Sequence, residues 1–105
     1  MIDVYESAID DLGRFGAVFE RDDETAYFYL LDLRKDRGAQ IVSTFNAEAI
    51  TELPANTLVS IKWSSKAAAV GLFIGGSLSA IFDLRAASPE GRWSDPEDAV
   101  LFQTQ

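Results

Sequence analysis

Residues 57–84 read TLVSIKWSSKAAAVGLFIGGSLSAIFDL, and this stretch decides the predicted fold. In its first run, apolar and polar residues largely alternate, which is the period-two pattern of a half-buried strand. Two further apolar runs, residues 67–74 and 77–84, flank Gly75-Gly76, a pair that can take the positive φ values of a two-residue turn. The stretch therefore predicts a three-stranded antiparallel meander. A second turn is predicted at Ser64-Ser65-Lys66, between the first two strands. Gly71, inside the second strand, is expected to mark a bulge or a close approach by an aromatic neighbour.

Two more strands are predicted upstream of the meander, at residues 15–20 and 25–33. Residues 21–24, with the sequence RDDE, join them as a four-residue hairpin loop, in which aspartate bonds its own backbone. Because residues 25–33 are apolar on both faces, we expect a central strand that is covered on both sides. Its aromatic residues are expected to pack in the core: Tyr27, Phe28 and Tyr29.

The segment between these strands and the meander predicts a strand followed by a short helix. Residues 39–45 are a strand candidate that pairs back on the 25–33 strand. Residues 46–53 begin with asparagine, a helix-capping residue, and stop before proline. Three apolar residues of this helix are expected to face inward: Ala47, Ile50 and Leu53.

The two ends of the chain leave alternatives open. In residues 1–14, Val4, Ala8 and Leu12 could line one side of a short helix, but a first strand fits nearly as well. Asp95-Pro96 suits the start of a helix, with proline at the first helical position. Residues 99–102 are then either a last short helix or a strand along a sheet edge. Trp93 is expected to plug one end of the core.

These elements predict a mainly β, single-domain protein that spans residues 1–105. We expect six or seven strands, with one or two short helices. The antiparallel meander is expected to close as a half-open barrel or as a two-layer sandwich.

The composition limits the chemistry that the chain can perform. Neither cysteine nor histidine is present, which excludes disulfides, thiolate and imidazole metal ligands, and catalytic triads that need either residue. The net charge of −8 is concentrated at the start, where residues 1–24 hold eight acidic and two basic side chains. An acidic protein repels phosphate backbones, so we expect no nucleic acid partner and favour a protein with a basic surface.

No signal peptide is recognisable at the N-terminus, and we expect a cytoplasmic protein that does not enter a membrane. The charge-free run at residues 67–82 has 16 residues, fewer than the ~20 that an apolar helix needs to span a bilayer. It also contains Gly-Gly and serine, which favour a buried hairpin.

The block at residues 18–30, VFERDDETAYFYL, resembles a bacterial family catalogued as a domain of unknown function. Members of that family carry a VFEDDGETGYFYA-like stretch early in the chain and an Ala-Val-Phe-Asp-like strand later. Residues 80–83, AIFD, are similar to the second block. Asp23 and Ala26 stand where the family carries glycine, so a different hairpin turn is expected. The resemblance implies a β-rich fold and a bacterial origin, and it brings no activity with it.

The sharpest polar feature is a cluster of four carboxylates at the predicted hairpin, and we assign it as a partner-binding edge. Oxygen ligands of this kind could hold calcium, but the spacing is not that of a calcium-binding loop, and we predict neither a metal nor a cofactor. A solvated turn is the alternative without function. The predicted partner-binding residues are Asp22, Asp23 and Glu24 as the contact edge, with Glu20 and Asp32 beside it.

We therefore expect a non-catalytic acidic domain that binds a basic protein, for example an immunity protein or antitoxin that neutralises a basic toxin. No catalytic residue is predicted. The alternative is a small-ligand-binding protein or a hydrolase with a carboxylate site, which would need a deep pocket and a carboxylate with a raised pKa. A dimer formed through an exposed edge strand is a third possibility.

Overall fold

The computed structural model describes residues 4–65 and 68–103, which form two four-stranded antiparallel sheets. The first sheet contains β1 (Val4–Ile9), β2 (Phe15–Arg21), β3 (Ala26–Asp32) and β4 (Ile41–Asn46). The second sheet contains β5 (Val59–Trp63), β6 (Ala69–Ile74), β7 (Ser77–Asp83) and β8 (Gly91–Trp93). Each strand pairs with the next one in sequence, so both sheets are meanders. Two 3-10 helices are described, Glu48–Glu52 and Pro96–Phe102.

The inner faces of the two sheets pack against each other in one hydrophobic core. The rings of Phe28 and Phe82, from opposite sheets, have centroids 4.8 Å apart. The described strands therefore form a two-layer sandwich, and the mainly β prediction is confirmed, with eight strands in place of six or seven. Both sheets contribute fully buried side chains to this core: Phe19, Phe28, Leu30, Val70, Leu72 and Phe82.

The three strands β5, β6 and β7 confirm the meander predicted at residues 57–84. A two-residue turn joins β6 to β7, and Gly75 and Gly76 have φ values of 59° and 86° there. Positive φ at both positions is the geometry of a type I′ turn, which glycine adopts without steric cost. Of the turn predicted at residues 64–66, Lys66 lies outside the described residues.

Gly71 lets the 96–102 helix lie directly on the outer face of the second sheet. A Cβ atom at Gly71 would stand 2.6 Å from Leu78 Cδ1 and 2.9 Å from Phe102 Cζ. These separations are too short for ordinary packing, so only glycine leaves room for both side chains. The predicted close approach of an aromatic neighbour at Gly71 is confirmed. Phe73 and Phe102 add an edge-to-face contact, with 5.3 Å between ring centroids.

An ion pair ties the 96–102 helix to β8. The guanidinium nitrogens of Arg92 lie 2.7 and 2.9 Å from the carboxylate oxygens of Asp98, which is buried. Asp98 also accepts the backbone N–H of Asp95 at 2.7 Å, which fixes the start of the helix. Asp95 and Pro96 thus begin the helix as predicted, and of the two alternatives for this segment the helix is correct.

At the N-terminus the strand alternative is correct, and the helix is wrong. β1 pairs with β2 along all of its residues, from Val4 opposite Arg21 to Ile9 opposite Gly16. This pairing outweighs a weak helical pattern of apolar residues. Leu12, which the helix would have buried, is 70% exposed in the turn that follows β1.

The role predicted for Trp93 is wrong. Trp93 lies on the edge strand β8 with 45% of its surface exposed, and its ring meets that of Phe45 edge to face at 5.0 Å. Gly91, on the same short strand, allows this approach because a Cβ atom there would collide with Phe45. Residues 86–95 are rich in turn-forming residues, and the sequence therefore did not predict β8, a strand of only three residues.

The helix predicted at residues 46–53 is a 3-10 helix at Glu48–Glu52. Ala47 and Ile50 are buried as expected, whereas Leu53 is 38% exposed and lies beyond the last turn. The inward-facing role of Leu53 is therefore wrong, because the helix ends before its side chain can turn toward the core.

Arg21 joins β2 to the 48–52 helix from inside the protein. Only 4% of its surface is exposed, and Nη2 donates to the carbonyl oxygens of Thr51 and Leu53 at 3.1 and 2.6 Å. Carbonyl groups at the end of a helix carry partial negative charge, so they stabilise the cation. Within the described part of the chain, Arg21 Nε has no hydrogen-bond partner.

We predict that Gly71→Ala destabilises the protein by about 1–3 kcal/mol, because Leu78 and Phe102 must move to admit the new Cβ atom. Gly16→Ala is the matched control, since a Cβ atom at Gly16 would meet Leu33 only at 3.7 Å. Its effect is expected to stay below about 1 kcal/mol. Urea unfolding measures both variants. Equal losses would contradict the close approach at Gly71.

Arg21→Met is predicted to lower the free energy of unfolding by about 2–3 kcal/mol, because two carbonyl groups lose a charged donor. Arg14→Met, at an exposed position, is the control and is expected to change stability by less than about 0.5 kcal/mol. Guanidinium chloride titration compares the two. A gain in stability for Arg21→Met would show that burying the charge costs more than its hydrogen bonds return.

Candidate functional site

The hairpin between β2 and β3 is organised by the side chain of Asp22. Its Oδ1 accepts the backbone N–H groups of Glu24 and Thr25 at 2.8 and 2.7 Å, and the Thr25 hydroxyl at 3.1 Å. These bonds hold the pKa of Asp22 below its usual range. The prediction that an aspartate shapes this turn is confirmed. The loop is residues 22–25, one position later than predicted, because Arg21 belongs to β2.

The other carboxylates of the predicted edge are exposed around this turn. Asp23 and Glu24 lie at its tip, and Glu20 lies two residues before it on β2. The described side-chain hydrogen bonds of the buried Arg21 go to the carbonyl oxygens of Thr51 and Leu53. The structure thus brings Glu20, Asp22, Asp23 and Glu24 together at one end of the first sheet.

Asp32 does not lie beside this cluster. It ends β3, whose seven residues place it about 20 Å from the hairpin. The side chain is buried, and Arg34 contacts it through two hydrogen bonds, at 2.9 and 3.0 Å. This pairing lowers the pKa of Asp32 to about 2, so the carboxylate is ionised and already has a cation.

The outer face of the first sheet carries all three tyrosines of the chain. They are Tyr5 on β1, and Tyr27 and Tyr29 on β3. Tyr5 is 62% exposed, and the other two are half-buried. The prediction that Tyr27 and Tyr29 pack in the core is wrong, since only Phe28, on the opposite face of β3, does so. The alternation of residues 25–33 puts Tyr27 and Tyr29 on one face and Phe28 on the other. Because tyrosine counts as apolar, this pattern alone did not show that the face carrying the tyrosines is the exposed one.

No described segment buries this outer face. Every side chain that the strand pairing places on it is half-buried or exposed, including Ile9 at 63% and Ile41 at 59%. The expectation that β3 is covered on both sides is therefore wrong, although β3 is central, between β2 and β4. The second sheet differs, because the 96–102 helix covers its outer face.

A shallow cavity of about 300 Å³ lies where this face meets the hairpin. The strand register places Glu20 between Tyr5 on β1 and Tyr27 on β3, so two rings flank one carboxylate. The Tyr29 hydroxyl donates to Glu20 Oε2 at a long 3.4 Å. Partial burial, followed by the nearby Glu20 charge, raises the pKa of Tyr29. The cavity lining is Val4, Tyr5, Glu20, Arg21, Asp22, Thr25 and Tyr27.

A second cavity, of about 390 Å³, opens at the opposite end of the sandwich. Its walls include Asp32, Arg14 and Lys35. A general acid needs a carboxyl group with a raised pKa, whereas the pKa of Asp32 is lowered by Arg34. This cavity therefore lacks the feature that the hydrolase alternative requires.

The described residues contain no group of three acidic side chains that could hold a metal ion. In residues 4–65 and 68–103, no helix is long and apolar enough to cross a membrane.

Comparison with known proteins identifies a family and nothing closer. No curated protein matches the chain, and no solved structure does. The model of a family described as an uncharacterized protein conserved in bacteria (DUF2251) matches residues 4–101. This match covers nearly the whole chain and includes the block at residues 18–30 that suggested such a family. The chain therefore belongs to this bacterial family, DUF2251.

Proposed function

We propose that this protein is a non-catalytic binding domain that recognises a basic protein surface. The contact surface is the outer face of the first sheet together with the 22–25 turn, and we call it the tyrosine face. One observation carries the proposal: tyrosine side chains stay exposed or half-buried beside carboxylates on the outer face of this sheet, while a helix covers the outer face of the other sheet.

The side chains of the tyrosine face suit protein recognition. Tyrosine offers a large apolar ring and a polar hydroxyl group, and it is over-represented among residues that dominate binding energy. Tyr27 and Tyr29 stack with 6.1 Å between centroids, which restricts both rings before a partner arrives. A face ordered in advance loses less conformational entropy on binding.

The charge of the chain favours a basic partner. Residues 1–24, which include β1, β2 and most of the hairpin, hold eight of the 17 acidic residues. A surface of one sign accelerates the encounter with a surface of the opposite sign and selects against acidic competitors. An immunity protein or antitoxin that neutralises a basic toxin is the specific class of binding protein that we propose on this basis.

The proposal predicts that removing the exposed carboxylates at the tyrosine face weakens partner binding about tenfold. The test variant is Glu20→Gln with Asp23→Asn and Glu24→Gln. The full chain, tagged, first captures basic proteins from extracts of the source bacterium. The affinity of each purified partner is then measured by calorimetry at low and physiological salt.

The matched control removes three exposed carboxylates elsewhere, through Asp36→Asn, Glu90→Gln and Glu97→Gln. Its affinity is expected to fall much less than that of the test variant, although the net charge is the same. Equal losses from both variants would contradict a localised surface. An affinity that does not change with salt would contradict the electrostatic basis of recognition.

A further inference from the structure

We propose that the cavity between Tyr5 and Tyr27 receives an arginine side chain of the partner, with Glu20 as the carboxylate that binds it. This inference rests on the proposed function and adds the chemistry of the contact. The guanidinium group would lie between the two rings and donate to the Glu20 oxygens.

The strand register builds this site from three different strands. Tyr5 is directly opposite Glu20 in the β1–β2 pair, and Glu20 is directly opposite Tyr27 in the β2–β3 pair. Directly opposed side chains in antiparallel strands lie about 5 Å apart at Cβ and point to the same face. The row therefore places a carboxylate in the middle of an aromatic pair, and all three side chains line a cavity of about 300 Å³.

Glu20 differs from the buried and half-buried carboxylates that are already paired. Three of these have an arginine of this chain: Asp32 has Arg34, Asp83 has Arg85 and Asp98 has Arg92. For Glu20, the described residues supply only the Tyr29 hydroxyl, at 3.4 Å. The capacity of its oxygens to accept charged donors is therefore largely unused.

The far end of the same sheet shows the proposed arrangement with its cation in place. Arg34 donates two hydrogen bonds to Asp32, and its guanidinium carbon stands 4.9 Å from the centre of the Phe15 ring. The Tyr5–Glu20–Tyr27 row has the same two components, a ring and a carboxylate. Arg21 also lines this cavity, but its described hydrogen bonds go to the carbonyl oxygens of Thr51 and Leu53 and not to Glu20. At the far end of the sheet, one guanidinium group contacts both the carboxylate and the aromatic ring.

Arginine fits this site better than lysine. A guanidinium group is planar, so it can stack on a tyrosine ring while it donates two parallel hydrogen bonds to a carboxylate. An ammonium group is smaller, more strongly hydrated and cannot form the two-pronged contact. Asp22 also lines the cavity, and its lowered pKa favours the charged form, which offsets the positive charge of Arg21 in the same lining.

The test uses hexa-arginine, hexa-lysine and hexa-citrulline peptides with the full chain. Calorimetry is expected to show hexa-arginine binding several-fold more tightly than hexa-lysine, and no measurable binding of uncharged hexa-citrulline. Glu20→Gln and Tyr5→Leu are each expected to weaken hexa-arginine binding about fivefold. Sedimentation of the free protein accompanies the titrations, because arginines of a second copy are the competing occupants.

Two conservative variants separate this site from general electrostatics. Glu6→Gln removes the same charge from the opposite side of β1, and Tyr5→Phe keeps the ring. Both are expected to leave hexa-arginine affinity within about twofold of the wild type, while thermal unfolding checks that all variants remain folded.

Several outcomes would overturn the arginine site. They are equal weakening by Glu6→Gln and Glu20→Gln, equal binding of lysine and arginine peptides, or self-association of the chain that Glu20→Gln abolishes. If Tyr5→Leu binds every peptide and captured partner normally while the triple carboxylate variant does not, the arginine site fails and the proposed function stands. If neither variant affects captured partners, the proposed function fails as well.

Discussion

The structure depends on the packing of two sheets against each other through their inner faces. Two four-stranded sheets have four faces, and the chain of 105 residues buries the two inner faces against each other. The 96–102 helix covers a third face, and Gly71 makes that contact possible by leaving room for Leu78 and Phe102. The fourth face has no such cover in the described structure.

Several arginine side chains bind groups within the fold. Three arginines bind aspartates: Asp32 and Asp83 at strand ends, and Asp98 in the 96–102 helix. Arg21 is directed toward the end of the 48–52 helix. The first three cations neutralise carboxylates within the fold, and Arg21 binds carbonyl oxygens. Around the 22–25 turn, Glu20, Asp23 and Glu24 are exposed, and Glu20 lies between two tyrosine rings. Our proposal that this surface binds a basic partner rests on this combination of rings and carboxylates.

The sequence was sufficient to predict most of the fold, because alternation and turn residues act locally. The meander of residues 57–84, the Gly75-Gly76 turn and the helix start at Asp95 all follow from nearest-neighbour chemistry. β8 could not be predicted in this way, since its three residues are a strand only because β7 lies alongside. The position of a strand within its sheet also decides exposure. Trp93 was expected to be buried, but it lies on the edge strand β8 and is exposed.

The candidate site was predicted in part. The carboxylates at residues 20–24 form a visible run, and the structure places them together. Asp32 is near them only in sequence, because an extended strand separates the two ends of β3. The tyrosines could not be assigned, because alternation alone does not say which face of a central strand is covered. Tyr5 joins Glu20 and Tyr27 through strand pairing, which is a long-range property.

Fluorine NMR of the chain labelled with fluorotyrosine tests the central claim most directly, because all three tyrosines lie on the tyrosine face. Fluorotryptophan provides the control, since Trp63 and Trp93 belong to the second sheet. The account predicts that a captured basic partner shifts the Tyr5, Tyr27 and Tyr29 resonances and leaves those of the tryptophans unchanged. Shifts confined to the tryptophans would contradict it.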